Sequence, residues 1–309
     1  VIGWARVFSR AMVYDKPALD ERIVTAYGAD AVLPVLGRAT GESWSGQHDQ
    51  DTVWWRTPEG YIHAVTAQFC PYAPTPKVLH PIRDPGVWIE IAAPLTMLAA
   101  DPSPKAEQGP RVYAESVFRA VASAIDDEGT VWYRLTHQTD ELDYSWVRAH
   151  HARILDPASW QPIAPKRRKS IHVDRATQTL FAYEDGQEVA RARVSTGGRR
   201  ILPEQGIIGQ RTLPGDYNVT LKAPAARLTW GTPGVDAYDT LGVPYLMFFD
   251  PLIGIHGAYW HNNFGVPQSH GCINVRPAFA HWLYLWTTPF VDYDVRLVRS
   301  VKGIAVTVE

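Results

Sequence analysis

His256-Gly257 and, thirteen residues after that histidine, Ser269-His270-Gly271-Cys272-Ile273-Asn274 form the stretch of this chain that reads as chemistry rather than packing. It brings a thiol, two imidazoles and a flexible glycine close together in sequence, and the chain's only other cysteine is Cys70. The attacking form of cysteine is the thiolate, and a free thiol has a pKa of about 8.5. A histidine at position 256 is therefore expected to draw the Cys272 thiol toward neutrality and to act as its base. The base precedes the nucleophile, the reverse of the order in papain-like peptidases.

These residues resemble the signature of the YkuD-type L,D-transpeptidase catalytic domain, which cross-links or remodels bacterial peptidoglycan. The resemblance covers roughly the last 140 residues, a reasonable size for one domain. Ser195-Thr196-Gly197 and Thr212-Leu213-Pro214-Gly215-Asp216-Tyr217 resemble two further segments of that family, although Leu213 stands where the family usually has proline. The resemblance implies that Cys272 attacks a stem tetrapeptide between its third and fourth residues, releases D-Ala, and passes the acyl group to an amine of a second stem. It also implies that the Gly257 carbonyl orients the His256 ring. The amides of His270, Gly271 and Cys272 are implied to form the oxyanion hole, a feature whose donors are typically worth about 10²–10³ in rate.

Substrate contacts are expected from Tyr238, with Tyr245 as the alternative, and from Tyr259 and Trp260 in the aromatic insert between base and nucleophile. Ser269 and Asn274 match the motif and are expected to fix its turn as well as border the substrate. Arg276 could hold a carboxylate bidentately. Carbapenem-class β-lactams, which acylate family members, are expected to label Cys272. No cofactor is implied. Metal binding by His256, His261, His270, Cys272 and His281 is the rival reading, but their spacing matches no usual zinc pattern.

Before the catalytic segment the chain repeats itself. Thr52-Val53-Trp54-Trp55-Arg56-Thr57 with Tyr61-Ile62-His63-Ala64 is echoed by Thr130-Val131-Trp132-Tyr133-Arg134-Leu135 with Trp146-Val147-Arg148-Ala149. Each pair reads as a hairpin of short aromatic strands, with turns at Pro58–Gly60 and at His137–Tyr144. The units resemble bacterial SH3-like domains, which implies small barrels able to contact cell-wall glycan. The expected organisation is mainly β: SH3-like domains at 1–75 and 76–160, then a YkuD-like β-sandwich at 161–309 with one or two short helices.

The basic run Lys166-Arg167-Arg168-Lys169 is expected to be a solvated linker. A β meander should follow at Ser170–Asp174, Thr179–Tyr183 and Val189–Ser195. A helix should begin at Pro277 and bury Phe279, Trp282, Leu283 and Trp286, with His281 facing away.

A length of 309 residues allows two or three domains. A formal net charge of −2 offers no basic stripe for nucleic acid. The start Val1-Ile2-Gly3-Trp4 lacks a basic segment followed by a long apolar one, and no run of about 18 apolar residues occurs. An extracytoplasmic location, in the cell wall or periplasm, is expected, with the export segment already removed. Two cysteines make no disulfide framework, and Cys70 is expected to be a lone thiol.

Overall fold

The computed structural model describes every residue except 49, 74, 137–141, 203–205, 210 and 232–236. The chain is mainly β, with one α-helix among the described residues. It divides into two compact units: Val1–Ser43 with Thr52–Ser159 and Ala225–Val243, and Trp44–Asp51 with Trp160–Pro224 and Pro244–Glu309. The second unit thus takes in a short loop, 44–51, that no sequence feature assigned to it, and gives up 225–243. Among the described residues no helix is long and apolar enough to cross a membrane.

In the first unit both sequence repeats fold alike. Val53–Arg56 pairs antiparallel with Tyr61–His63, and a single 3₁₀ turn, Ala64–Thr66, leads into Ala67–Pro71. Val131–Thr136 pairs with Trp146–Arg148, and the turn Ala149–His151 leads into Ala152–Ile154. Of the turn expected at His137–Tyr144, residues 137–141 lie outside the described residues. Each repeat serves its own core: Trp55 and Ile62 pack with Val7, Val13 and Val35, whereas Tyr133 and Val147 pack with Ile89, Phe118 and Leu135. The aromatic residues fill these interiors, where a large apolar side chain contributes most by leaving water. Cys70 is buried and unbridged, and burial pushes its thiol up to about 12.

The second unit contains the meander. Lys169–Asp174, Thr179–Glu184 and Gln187–Arg193 pair in sequence, Ile171, Val173, Leu180 and Ala182 turning inward by strand alternation. Ala305–Val308 joins this sheet parallel to Lys169–Asp174. A second five-stranded sheet runs in the order Ile273–Val275, Gly254–Gly257, Tyr238–Phe248, Leu221–Trp230, Val298–Arg299.

The helix spans Pro277–Trp286, with proline in the first turn, where its missing N–H costs nothing. Its buried face differs from the expected stripe: Pro277, Ala280, Leu283, Tyr284 and Trp286 point inward. Leu283 and Trp286 are buried as expected, whereas Phe279 and Trp282 are half-buried and stack in a row with Trp286, at centroid distances of 5.6 and 5.3 Å. His281 does not face away but stacks on Tyr245 at 4.6 Å. The reason is Trp160, the last residue of the expected second SH3-like domain, whose buried indole packs against Tyr245, His281 and Tyr284 and donates to Val291 O at 3.0 Å. Lys169 likewise leaves solvent to bond the carbonyls of Ile163 and Trp286, so only part of the basic run is a solvated linker.

Candidate active site

Gly254–Gly257 and Ile273–Val275 lie side by side in parallel, Ile255 against Ile273 and His256 against Asn274. The alternation of strand side chains puts His256 and Asn274 on one face. Cys272 precedes its strand by one residue and Asn274 by two, so the same alternation returns to it. Gly257 is glycine for a steric reason, since a Cβ there would meet Pro244 Cγ at 2.7 Å and Pro277 Cα at 3.1 Å. The helix therefore packs directly on the strand that carries the base.

The His256 ring is almost wholly buried, and its Nδ1 lies 3.1 Å from the Gly257 carbonyl. A carbonyl only accepts, so the proton sits on Nδ1 and Nε2 carries the lone pair. Burial pulls the imidazole down to about 4, against the opposing pull of that carbonyl. At neutral pH the ring is uncharged, the state a general base requires.

The nucleophile turn is held from three sides. Gly271 takes a φ of +125°, a left-handed conformation that glycine adopts without strain. Its amide donates to Ser269 Oγ at 3.1 Å, and the Ser269 hydroxyl in turn donates to the Cys272 carbonyl. Its carbonyl accepts from Thr212 Oγ1 at 2.6 Å, and the same hydroxyl accepts the Gly197 amide at 2.9 Å. Ser195 exchanges backbone hydrogen bonds with Asn274, each 2.9 Å, and the Thr196 carbonyl accepts from the amides of Gln268 and Ser269. The Ser195–Gly197 and Thr212 segments are thus the scaffold of the turn. Leu213 is exposed and leaves that role to its neighbour.

The thiol itself departs from expectation. Cys272 is half-buried, and its Sγ points to the Leu252 carbonyl at 3.8 Å rather than to the His256 ring. Burial drives the thiol up to about 11; the Gly254 amide, which donates to the sulfur, opposes this, and Asp250 adds to it. Neighbouring imidazole does not lower it toward neutrality, because a buried neutral ring offers no charge to stabilise a thiolate. The resting pair is thiol and imidazole, not thiolate and imidazolium.

Other predicted residues fall into distinct settings. Ser269 and Asn274 are buried and spend their polar atoms inside the protein, so they position the turn instead of lining a cleft. The Gly271 amide is engaged by Ser269 and is not an open oxyanion donor, whereas the Cys272 amide has no acceptor among the described residues. His270 is half-buried in the turn. Tyr259 is buried with its ring edge-on to Trp260, and Trp260 lies tilted at 5.8 Å from His256. Arg276 sits over the Phe264 ring and reaches Asn262 Oδ1 at 3.4 Å. Tyr238 begins its strand within the other unit's 225–243 segment. Tyr245 is a core residue at φ +59°. Among the described residues no group of three or more His, Cys, Asp or Glu side chains is placed to hold a metal ion.

The partner of Asn274 is His261, which the sequence offered only as a possible metal ligand. His261 is buried, with Nε2 3.0 Å from Asn274 Oδ1, and its Nδ1 accepts the Asn263 amide at 3.1 Å. Burial pulls this ring down to about 4 as well, the Asn274 bond opposing and His256 and Arg276 adding to the shift. The only signal in the sequence was a histidine inside an otherwise aromatic and amide-rich insert.

Residues 168–299 match the YkuD family model, described as the L,D-transpeptidase catalytic domain. Among solved structures, the catalytic domain of an E. faecium L,D-transpeptidase acylated by ertapenem is 26% identical over 46% of this chain and 97% of its own, with a TM-score of 0.33. An L,D-transpeptidase of Stackebrandtia nassauensis is 24% identical over 49% of this chain and 59% of its own, with a TM-score of 0.32. The L,D-transpeptidase from Mycobacterium smegmatis is 15% identical over 90% of this chain and 99% of its own, with a TM-score of 0.36. No curated protein matches the chain.

Proposed function

We propose that this chain is a cysteine-dependent acyltransferase of the bacterial cell wall, an L,D-transpeptidase that forms 3-3 cross-links or attaches a wall protein to a stem peptide. The observation that carries the reading is the pairing of a neutral, carbonyl-oriented His256 with a glycine turn that ends in Cys272, one residue before the adjacent parallel strand.

The thiol swings from the Leu252 carbonyl toward the imidazole as substrate enters and displaces the Asn274 amide, 3.3 Å away at rest, from the single lone pair of His256 Nε2. Sulfur attacks the carbonyl between the third and fourth stem residues, an S–C bond forms, and the thiol proton moves to His256 Nε2. The Cys272 amide donates to the developing oxyanion. Collapse breaks the C–N bond, and His256 returns the proton to the departing amine of D-Ala. An amine of a second stem then attacks the thioester, gives its proton to His256, and frees the thiol. A neutral thiol beside a neutral ring suits this concerted order, in which no charge is stored before attack.

The protein acts outside the cytoplasm in this reading, and its two tandem SH3-like parts hold it against wall glycan. The test is incubation of a tetrapeptide stem with and without an amine acceptor. Dimer with release of D-Ala supports transfer; tripeptide and D-Ala alone make the enzyme an L,D-carboxypeptidase on the same Cys–His pair. Unchanged product formation by Cys272→Ala overturns the site. A carbapenem presents the same attack on a strained amide, and intact mass after exposure to ertapenem should rise by one adduct lost in Cys272→Ala.

A further inference from the structure

We propose that His261 is a positioning residue that, through Asn274, fixes the proton-accepting form of His256. The inference rests on a chain of four hydrogen bonds whose two ends are backbone groups of fixed sense. At one end the Asn263 N–H, which can only donate, faces His261 Nδ1 at 3.1 Å. That nitrogen must then be bare, and the ring proton must sit on Nε2.

His261 Nε2 meets the Asn274 side chain at 3.0 Å. A donor there requires the amide oxygen, and so the amide turns its NH₂ to His256 Nε2 at 3.3 Å. Neither the orientation of an amide nor the tautomer of a ring is visible in heavy atoms alone, and here each is dictated by its neighbour. At the far end His256 Nδ1 donates to the Gly257 carbonyl at 3.1 Å. Both ends demand the same answer: His256 protonated on Nδ1, lone pair on Nε2.

All three side chains are nearly sealed from water, so no solvent molecule competes to set a different pattern. Without His261 the Asn274 amide could rotate and offer its oxygen to Nε2. The ring would then face an acceptor on each nitrogen, and part of the population would carry its proton on Nε2, the nitrogen that must accept one. A base held in the wrong tautomer keeps its place and loses its function.

The role rests on the acyl-transfer reading for what the base does, but the tautomers can be read without it. Long-range ¹H–¹⁵N correlation of the histidine rings in the intact protein at neutral pH should show His256 protonated on Nδ1 and His261 on Nε2. Either ring in the opposite form overturns the proposal.

The second measurement is the rate of acylation by ertapenem. His261→Phe should lower it by about 10²-fold, the scale of a general base. His261→Gln carries both an acceptor for Asn263 and a donor for Asn274, and should restore the rate to within about 10-fold of the parent and return the His256 ring to its Nδ1–H form. Equal rates in the Phe and parent proteins overturn the proposal, and so does loss in both variants with the tautomer unchanged. Should His261→Phe fail to fold, Asn274→Asp asks the same question: its carboxylate accepts from both rings while the Gly257 carbonyl still accepts from Nδ1, so His256 should carry a proton on both nitrogens, with loss of acylation. If the parent has the stated tautomers yet is neither acylated nor active on stem peptides, the transpeptidase reading falls and the relay stands.

Discussion

Thr212 donates its hydroxyl proton to the carbonyl of Gly271, 2.6 Å away, one residue before the nucleophile. The hydroxyl is buried and also accepts the Gly197 amide at 2.9 Å, so one side chain ties two distant segments to one turn. Gly271 supplies the conformation and Thr212 holds it.

Thr212→Val keeps the shape and removes both bonds, leaving a partly buried amide and a buried carbonyl unpaired. The loss should be about 1–3 kcal/mol of stability. Acylation of Cys272 should slow as well, because its carbonyl and amide belong to the turn that loosens. Denaturation midpoints and ertapenem acylation rates on the same protein check both; an unchanged rate at reduced stability would make Thr212 a packing residue only.

The neutral thiol has its own signature. With the thiol pushed up to about 11, alkylation of Cys272 by iodoacetamide should climb with pH and show no plateau near neutrality. Acylation by ertapenem should instead be flat above about pH 5, because His256, pulled down to about 4, is already a free base there. A shared plateau between pH 6 and 8 in both profiles would mean a preformed thiolate–imidazolium pair. His256→Ala should cut acylation by about 10²–10⁴ while leaving alkylation at high pH in place.

The same two rings make the catalytic unit sensitive to acid. His256 and His261 are both depressed to about 4 from 6.5, so the unfolded chain binds more protons than the folded one between those values. Their contribution is fully present above pH 6.5 and is lost as pH falls toward 4. One ring is worth about 3 kcal/mol over that span, and two give at least double, because repulsion between their charges in the folded state further disfavours protonating the second. In the other unit the signs oppose: His151 is depressed to about 4, but the buried Glu90 beside Arg153 is raised to about 7, which costs stability as pH rises from 4.5. Chemical denaturation from pH 7.5 to 4 should therefore weaken the transition of the catalytic unit more than the other.

Much of this was legible in the sequence because it is local. The meander announced itself through alternation, the helix through Pro277, and the repeats through paired aromatic strands. The nucleophile turn was legible because its glycine and its cysteine are neighbours in the chain. What stayed hidden depends on contacts between distant segments. Alternation could not show that Trp160 would claim Tyr245 and His281, so the buried face of the helix was misread. Nor could spacing show that Ser269 would occupy the Gly271 amide, or that burial would raise the thiol rather than lower it. His261 lies five residues from His256 in sequence, yet its link to the base runs through Asn274, thirteen residues farther on.

Lys222 holds the C-terminal end of the helix. Its side chain is fully buried in a strand, and its Nζ donates to the carbonyls of Tyr284 at 2.6 Å and Thr287 at 2.8 Å while lying 4.4 Å from the Tyr284 ring centre. These carbonyls are at the C-terminal end of the helix, where the backbone leaves acceptors unpaired and a cation is favoured. Burial pulls the ammonium well below its ordinary value, with Lys169 adding to the shift, so the site is held by hydrogen bonds at a cost in desolvation. Lys222→Met preserves the length of the side chain and strands both carbonyls, which should cost about 2–4 kcal/mol. The helix packs on Gly257, so the fraction of protein able to react with ertapenem should fall on warming well before that of the parent does. The rate per folded molecule at low temperature should stay the same. Equal thermal midpoints for parent and variant would show that the two carbonyls find other partners and that Lys222 does not hold the helix end.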